Sequence, residues 1–119
     1  MLIFPLLEES LSKRAGLFSG GQRQSLALAM VLMNQPKLLL LDEPLAGLSP
    51  KAADELLERL DEIHQQNSVS WMMVEHRLPL LVDHTDKVWI MRDGEIIHRD
   101  DDPLILKDPE ALAAHYNLS

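Results

Sequence analysis

Cysteine is absent from this 119-residue sequence, which excludes a disulfide framework, a thiolate metal site and a cysteine nucleophile. A cytosolic compartment is the simplest expectation. Long apolar runs are also lacking: the longest, residues 26–33 and 38–41, fall far short of the ~20 residues that span a bilayer. No membrane crossing is predicted. The opening Met1-Leu2-Ile3-Phe4-Pro5-Leu6-Leu7, followed by Glu8 and Glu9, has no basic stretch and no small-residue cleavage site, so it does not read as a secretory signal. Basic residues are outnumbered, with 11 Lys plus Arg against 19 Asp plus Glu and a formal charge of -8. That balance disfavours nucleic acid, whose phosphates demand clustered positive charge. No repeat of 20 to 50 residues, low-complexity linker or heptad pattern is present, which excludes a solenoid and a coiled coil.

What is there is 46% hydrophobic and 25% charged. A chain of this length forms one domain, residues 1–119, and can bury roughly two-thirds of its unfolded surface. Ser19-Gly20-Gly21 opens an apolar stretch in which residues 26–33 are apolar on every side, predicting a buried helix that Asn34 and Pro36 stop. Leu38-Leu39-Leu40-Leu41 reads as a buried parallel strand. Ser49-Pro50 supplies an N-cap and first-turn proline. Ala52, Ala53, Leu56, Leu57, Leu60 and Ile63 then recur at amphipathic helical spacing, with Asp54, Glu55, Glu58, Arg59 and Glu62 on the wet side. Ser70-Trp71-Met72-Met73-Val74 is a second strand, and a short helix follows Pro79. Residues 88–91 and 95–98 flank Asp93-Gly94, the strongest hairpin signal in the chain. A last helix starts at Asp108-Pro109 and runs to Tyr116. The pattern predicts an α/β fold, a parallel sheet with flanking helices and a C-terminal β-hairpin.

Three stretches can carry chemistry. Phe18-Ser19-Gly20-Gly21-Gln22 lies at a helix N-terminus, where Ser19 and Gln22 fit a capping box. Two consecutive glycines are not explained by capping, since each costs about 0.8–1.0 kcal/mol against alanine in a helix interior. They suit a backbone that an anion approaches closely. Both readings stand at this point. Asp42-Glu43-Pro44 follows the four leucines, at the carboxyl end of a buried strand where open α/β sheets place ligands. Asp42 is a hard oxygen ligand suited to Mg²⁺, and Glu43 can polarise a water as general base. His76, in Val74-Glu75-His76-Arg77, sits at the end of the next strand on the same rim. Of the five histidines (His64, His76, His84, His98 and His115) it alone has that position, from which it can donate to a phosphoryl oxygen. A phosphate-cradling loop is missing from the sequence: Gly16 and Gly21 have the G-x-x-x-x-G spacing, but Gln22 and Arg23 stand where Lys and Ser/Thr are needed.

In this order the motifs resemble the ATP-binding subunits of ABC transporters. Residues 18–22 look like the LSGGQ signature, with Phe18 in place of leucine. Residues 38–43 resemble the Walker B strand ending in its metal aspartate and catalytic glutamate. Ala46-Gly47-Leu48-Ser49 occupies the D-loop, with Ser49 where many have aspartate, and His76 falls at the switch histidine. Gly47-Leu48-Ser49-Pro50, Phe4-Pro5 and Asp108-Pro109-Glu110 are most similar to the branched-chain amino acid and lipopolysaccharide-export type. The resemblance covers nearly the whole chain but only the C-terminal half of such a subunit. It implies a partial P-loop NTPase fold whose Walker A half is absent from these residues.

The resemblance further implies ATP and Mg²⁺ as cofactors, Asp42 as metal ligand, and Glu43 and His76 as catalytic residues. Ser19, Gly20, Gly21 and Gln22 would touch a nucleotide held by a second ATPase subunit. A transporter membrane subunit is the other implied partner, with the parent assembly cytoplasmic and peripheral to the inner membrane. Without a P-loop the chain alone is expected to be inactive. The alternative is a non-enzymatic module that pairs in trans with a complete ABC ATPase. An SMC-like or DNA-repair half is disfavoured by the charge and by the missing heptads. In the family's sheet the Walker A strand lies between the strands at residues 70–75 and 88–91. Its absence predicts either direct pairing of those strands or, preferentially, self-association that leaves Trp71, Met73, Trp89 and Met91 partly wet before two copies meet.

Overall fold

The computed structural model describes residues 20–116, so Phe18 and Ser19, and with them the predicted Ser19 cap, lie outside the described residues. The described residues form two compact units divided between His76 and Arg77.

The first unit runs α1 (Gly20–Leu32), β1 (Leu38–Asp42), α2 (Pro50–Asn67) and β2 (Ser70–Val74). After α1 the chain turns through Gln35, which adopts a left-handed φ of 51°, just before Pro36. Only Ser25 and Leu28 of α1 are buried, whereas Met30, Val31 and Met33 are exposed. This corrects the expectation of a helix buried on every side. A single face of α1 meets the rest of the unit, and apolar composition alone does not say how many faces find partners.

β1 and β2 pair in parallel, Leu38 beside Ser70 through Asp42 beside Val74. Backbone bonds from Ser70 N–H to Lys37 O (2.9 Å) and Glu43 N–H to Val74 O (2.8 Å) extend the ladder at both ends. Side chains alternate across a strand, and here the alternation decides burial. Leu39 is 2% exposed while Leu40 is 72% exposed, so β1 is covered on one face rather than both. The wet face of β2 carries Met72 and Val74. Trp71 and Met73 share the register and the face of Leu39 and Leu41 and are half-buried, in keeping with the expectation that they are partly wet.

α2 forms as its sequence predicts and extends to Asn67. Ala53, Leu56, Leu57, Leu60 and Ile63 are its buried face. Ser49 Oγ accepts the Ala52 N–H at 3.1 Å, with Pro50 following at the first position. At the other end Ser68 closes the helix with a φ of 55°, its N–H bonded to His64 O, and His64 Nδ1 lies 3.1 Å from Val69 O. Ser49→Ala removes the cap while leaving the buried face intact. It is expected to lower stability by about 1 kcal/mol, read as a lower midpoint in thermal or urea unfolding.

The second unit holds a 3₁₀ segment (Leu78–His84), the hairpin β3 (Val88–Arg92) and β4 (Glu95–Asp100), a second 3₁₀ segment (Pro103–Lys107) and α3 (Pro109–Tyr116). Asp93 and Gly94 both have positive φ, 51° and 83°, as a type I′ turn requires. Ile90 pairs with His98 but Met91 with Ile96, so Ile97 is an extra residue that bulges β4. Val88 and Ile90 are buried on one face of the hairpin, Trp89 and Met91 exposed on the other, with the Arg99 guanidinium 5.4 Å from the Trp89 ring centre. The Asp102 N–H donates to Asp100 at 2.8 Å and, with a smaller contribution from His98, holds the Asp100 carboxyl below its ordinary pKa. β2 and β3 belong to different two-stranded sheets, so the described residues do not take the direct-pairing arrangement.

Candidate active site

Parallel pairing brings the carboxyl ends of β1 and β2 to one rim, and the chemistry-bearing residues follow immediately. Asp42, the last residue of β1, is exposed. Glu43 comes next in a left-handed conformation, φ 46°, which a non-glycine residue holds only where its surroundings dictate it. Its carboxylate meets His76 across the two strands, Nε2 to Oε1 at 2.8 Å. An ionised carboxylate only accepts, so Nε2 is the donor in this pair. Both side chains are open to solvent, Glu43 at 46% and His76 at 79%. Such a pair contributes little to stability, and it engages only one of the two Glu43 oxygens.

The loop after Glu43 is fastened residue by residue. Glu43 N–H is held by Val74 O. The carbonyl of Pro44, a buried residue, accepts the Gln24 side-chain amide at 2.8 Å. Leu45 N–H donates to Glu75 Oε1 at 3.3 Å, and the Leu45 side chain is fully buried. Gln24 and Glu75 escaped the sequence reading because polar residues on a helix face or beside a strand end ordinarily read as solvated. The one available signal was the placement of Gln24 a single turn beyond Gly20-Gly21.

Of the signature-like stretch, Gly20, Gly21 and Gln22 are described, in the first turn of α1. A Cβ placed on Gly20 would meet Leu48 Cδ2 at 3.5 Å, and one on Gly21 the Ala52 Cβ at 3.5 Å. These are ordinary van der Waals separations, and neither glycine has positive φ. The described surroundings therefore do not require glycine at either position.

Among the described residues no group of three or more His, Asp or Glu side chains forms a metal cluster. Asp42 stands as one exposed carboxylate. That donor set fits Mg²⁺, which keeps several waters and takes one or two protein carboxylates together with phosphate oxygens.

Residues 3–46 match the ABC transporter family. The chain is 34% identical to the high-affinity branched-chain amino acid transport ATP-binding protein BraG of Pseudomonas aeruginosa, over 95% of this chain and 48% of that protein. It is homologous to the ATP-binding subunits of ABC transporters. A second relative, the energy-coupling factor transporter ATP-binding protein EcfA2 of Lacticaseibacillus paracasei, is 36% identical over 82% of this chain and 34% of its own length. The ADP conformation of MJ1267, an ATP-binding cassette of an ABC transporter, superposes with a TM-score of 0.79 and 28% identity, covering 98% of this chain and 48% of that one. The ABC homology thus spans about half the length of BraG and of MJ1267. Similar identity to BraG and EcfA2 leaves the branched-chain or lipopolysaccharide-export subtype unconfirmed.

Proposed function

We propose that residues 1–119 are a single partial ABC ATPase domain that supplies the signature, Walker B and switch elements of an ATPase coupled to membrane transport, of the branched-chain amino acid or lipopolysaccharide-export type. The observation that carries this reading is the Glu43 to His76 contact at the ends of adjacent parallel strands, with Asp42 beside it. Asp42 would hold Mg²⁺ through its carboxylate, and the ion, when bound, would supply charge neutralisation on the phosphates. Glu43 accepts a proton from an attacking water through the oxygen that His76 leaves open. His76 fixes the Glu43 rotamer and presents a donor at the rim. Gly20, Gly21 and Gln22 offer helix N-terminal N–H groups to a nucleotide held by a second ATPase subunit, with Ser19, the residue before them in the sequence, as the fourth nucleotide-binding residue, which gives the two unneeded glycines a reason. The membrane subunit of the transporter is the remaining partner, placing the assembly on the cytoplasmic side of the membrane.

The phosphate cradle has no counterpart in these residues, so another segment or subunit must provide it. Joining this chain to the part of BraG that it does not match, where the phosphate cradle is proposed to lie, is the test. Mg²⁺-dependent ATP turnover that Glu43→Gln removes supports these roles; turnover that survives the substitution sinks them. Nucleotide affinity of the 119-residue chain alone is expected near millimolar, about -4 kcal/mol, because helix N–H donors are the phosphate contacts proposed for it and no adenine-holding motif is recognisable in the sequence. Calorimetry showing micromolar affinity would require a second phosphate site.

A further inference from the structure

We infer that Gln24 is a positioning residue for Glu43, tying the signature helix to the loop that carries the general base. The inference rests on the catalytic reading of Glu43 for its consequence, and on geometry alone for its substance. Proline has no N–H, so the carbonyl is the only hydrogen-bonding group that Pro44 has; the residue is buried and the bond to its carbonyl is part-buried. The Gln24 amide takes it at 2.8 Å, bridging twenty residues of sequence. Gln24 and Pro44 also line an apolar crevice of about 160 Å³ with Leu28, Leu39, Leu56 and Leu60. In such partly apolar surroundings a hydrogen bond is stronger than in water, and its loss leaves an acceptor that water replaces only in part.

Glu43 needs this support. Its side chain is half open to solvent, so packing does not hold it, and its left-handed backbone relaxes unless both neighbours are pinned. On the far side Leu45 is pinned twice, by the Glu75 carboxylate and by complete burial of its side chain. On the near side the ladder bond to Val74 holds the Glu43 N–H. The Pro44–Leu45 peptide is held at its carbonyl by Gln24 and at its N–H by the longer bond to Glu75. Without the amide it is held at one end only, and the carbonyl's search for a new partner shifts the loop and with it the Glu43 carboxylate against His76. Gln24 also lies one turn from Gly20 and Gly21 on the same helix, so any displacement of α1 by an anion at its N-terminus reaches the Pro44 carbonyl directly.

The experiment uses the 119-residue chain with ¹⁵N-labelled histidine, reading the His76 imidazole resonances, which report whether Nε2 donates to Glu43. Glu43→Ala, which removes the acceptor altogether, sets the size and sign of the change when the contact is lost. Gln24→Glu, the same shape without the amide donor, is expected to move the His76 signals in the same direction, and Gln24→Met to do so without added charge. Arg23→Ala, exposed on the same helix, is expected to leave them in place. Unchanged His76 signals in both folded Gln24 variants overturn the inference; should the Glu variant not fold, the Met variant decides alone. In the chimera with the BraG half, Gln24→Met is expected to lower kcat about ten- to a hundredfold with KM for ATP unchanged. If Gln24 variants move His76 while Glu43→Gln retains full turnover, the positioning role stands and the general-base reading fails. If Glu43→Gln abolishes turnover and Gln24→Met changes neither His76 nor kcat, the positioning role fails alone.

Discussion

Glu43→Gln in the chimera is expected to lower kcat by roughly 10²–10⁴-fold, the usual contribution of a positioned general base, with KM for ATP nearly unchanged. Glutamine keeps the length of the side chain and an oxygen that can still accept from His76, so the 2.8 Å contact and the loop around it survive. What is lost is the ability to take a proton from water. On the proposed reading ATP is held chiefly by the P-loop half, which the substitution does not touch, so the effect is expected on the chemical step. The chain by itself, lacking those contacts, is expected to show no ATP turnover above that of its own Glu43→Gln variant. Steady-state kinetics on the four preparations separates these effects. Equal kcat for the wild-type and Gln chimeras removes Glu43 from the role, and Glu43-dependent turnover by the lone chain removes the need for an external cradle.

The parts of the fold that sequence made legible are those fixed by local chemistry. Ser49-Pro50 announced the start of α2, Asp93-Gly94 the hairpin turn, and Asp108-Pro109 the start of α3, because caps and positive-φ turns are written in two or three adjacent residues. The parallel pairing of residues 38–42 with 70–74 was legible from two apolar runs separated by one amphipathic helix. Burial was not. Leu38-Leu39-Leu40-Leu41 reads as a strand covered on both faces, but whether a second layer exists depends on chain that lies elsewhere. The β4 bulge at Ile97 and the second 3₁₀ segment, Pro103–Lys107, carry no turn residue in a diagnostic place. At the candidate site, Asp42, Glu43 and His76 were placed on one rim by strand ends alone. The left-handed Glu43 and the bonds from Gln24 and Glu75 to successive loop residues were hidden, since they depend on three-dimensional neighbours far apart in sequence.

Self-association of the 119-residue chain is the second large effect expected, and the position of its bare surface says where. Leu38 and Leu40 of β1 and Met72 and Val74 of β2 stand on one face, each between 45% and 72% exposed. Parallel sheets are ordinarily covered on both faces, and a two-stranded sheet is marginal on its own because each strand is an edge. In the lone chain, a second copy is the apolar surface most available, and the unpaired strand edges add backbone hydrogen bonds to the contact. Sedimentation velocity across a concentration series is expected to show an s-value that rises with concentration. The paired substitution Leu40→Lys with Met72→Glu puts opposite charges on register partners, whose cross-strand attraction offsets part of the lost β-propensity. It is expected to hold the chain monomeric while changing the unfolding midpoint little, because neither side chain is in the core. A wild-type chain that sediments as a monomer at every concentration overturns the association. A paired variant that associates as strongly as wild type moves the contact to another surface, with exposed Trp89 and Met91 the next to substitute.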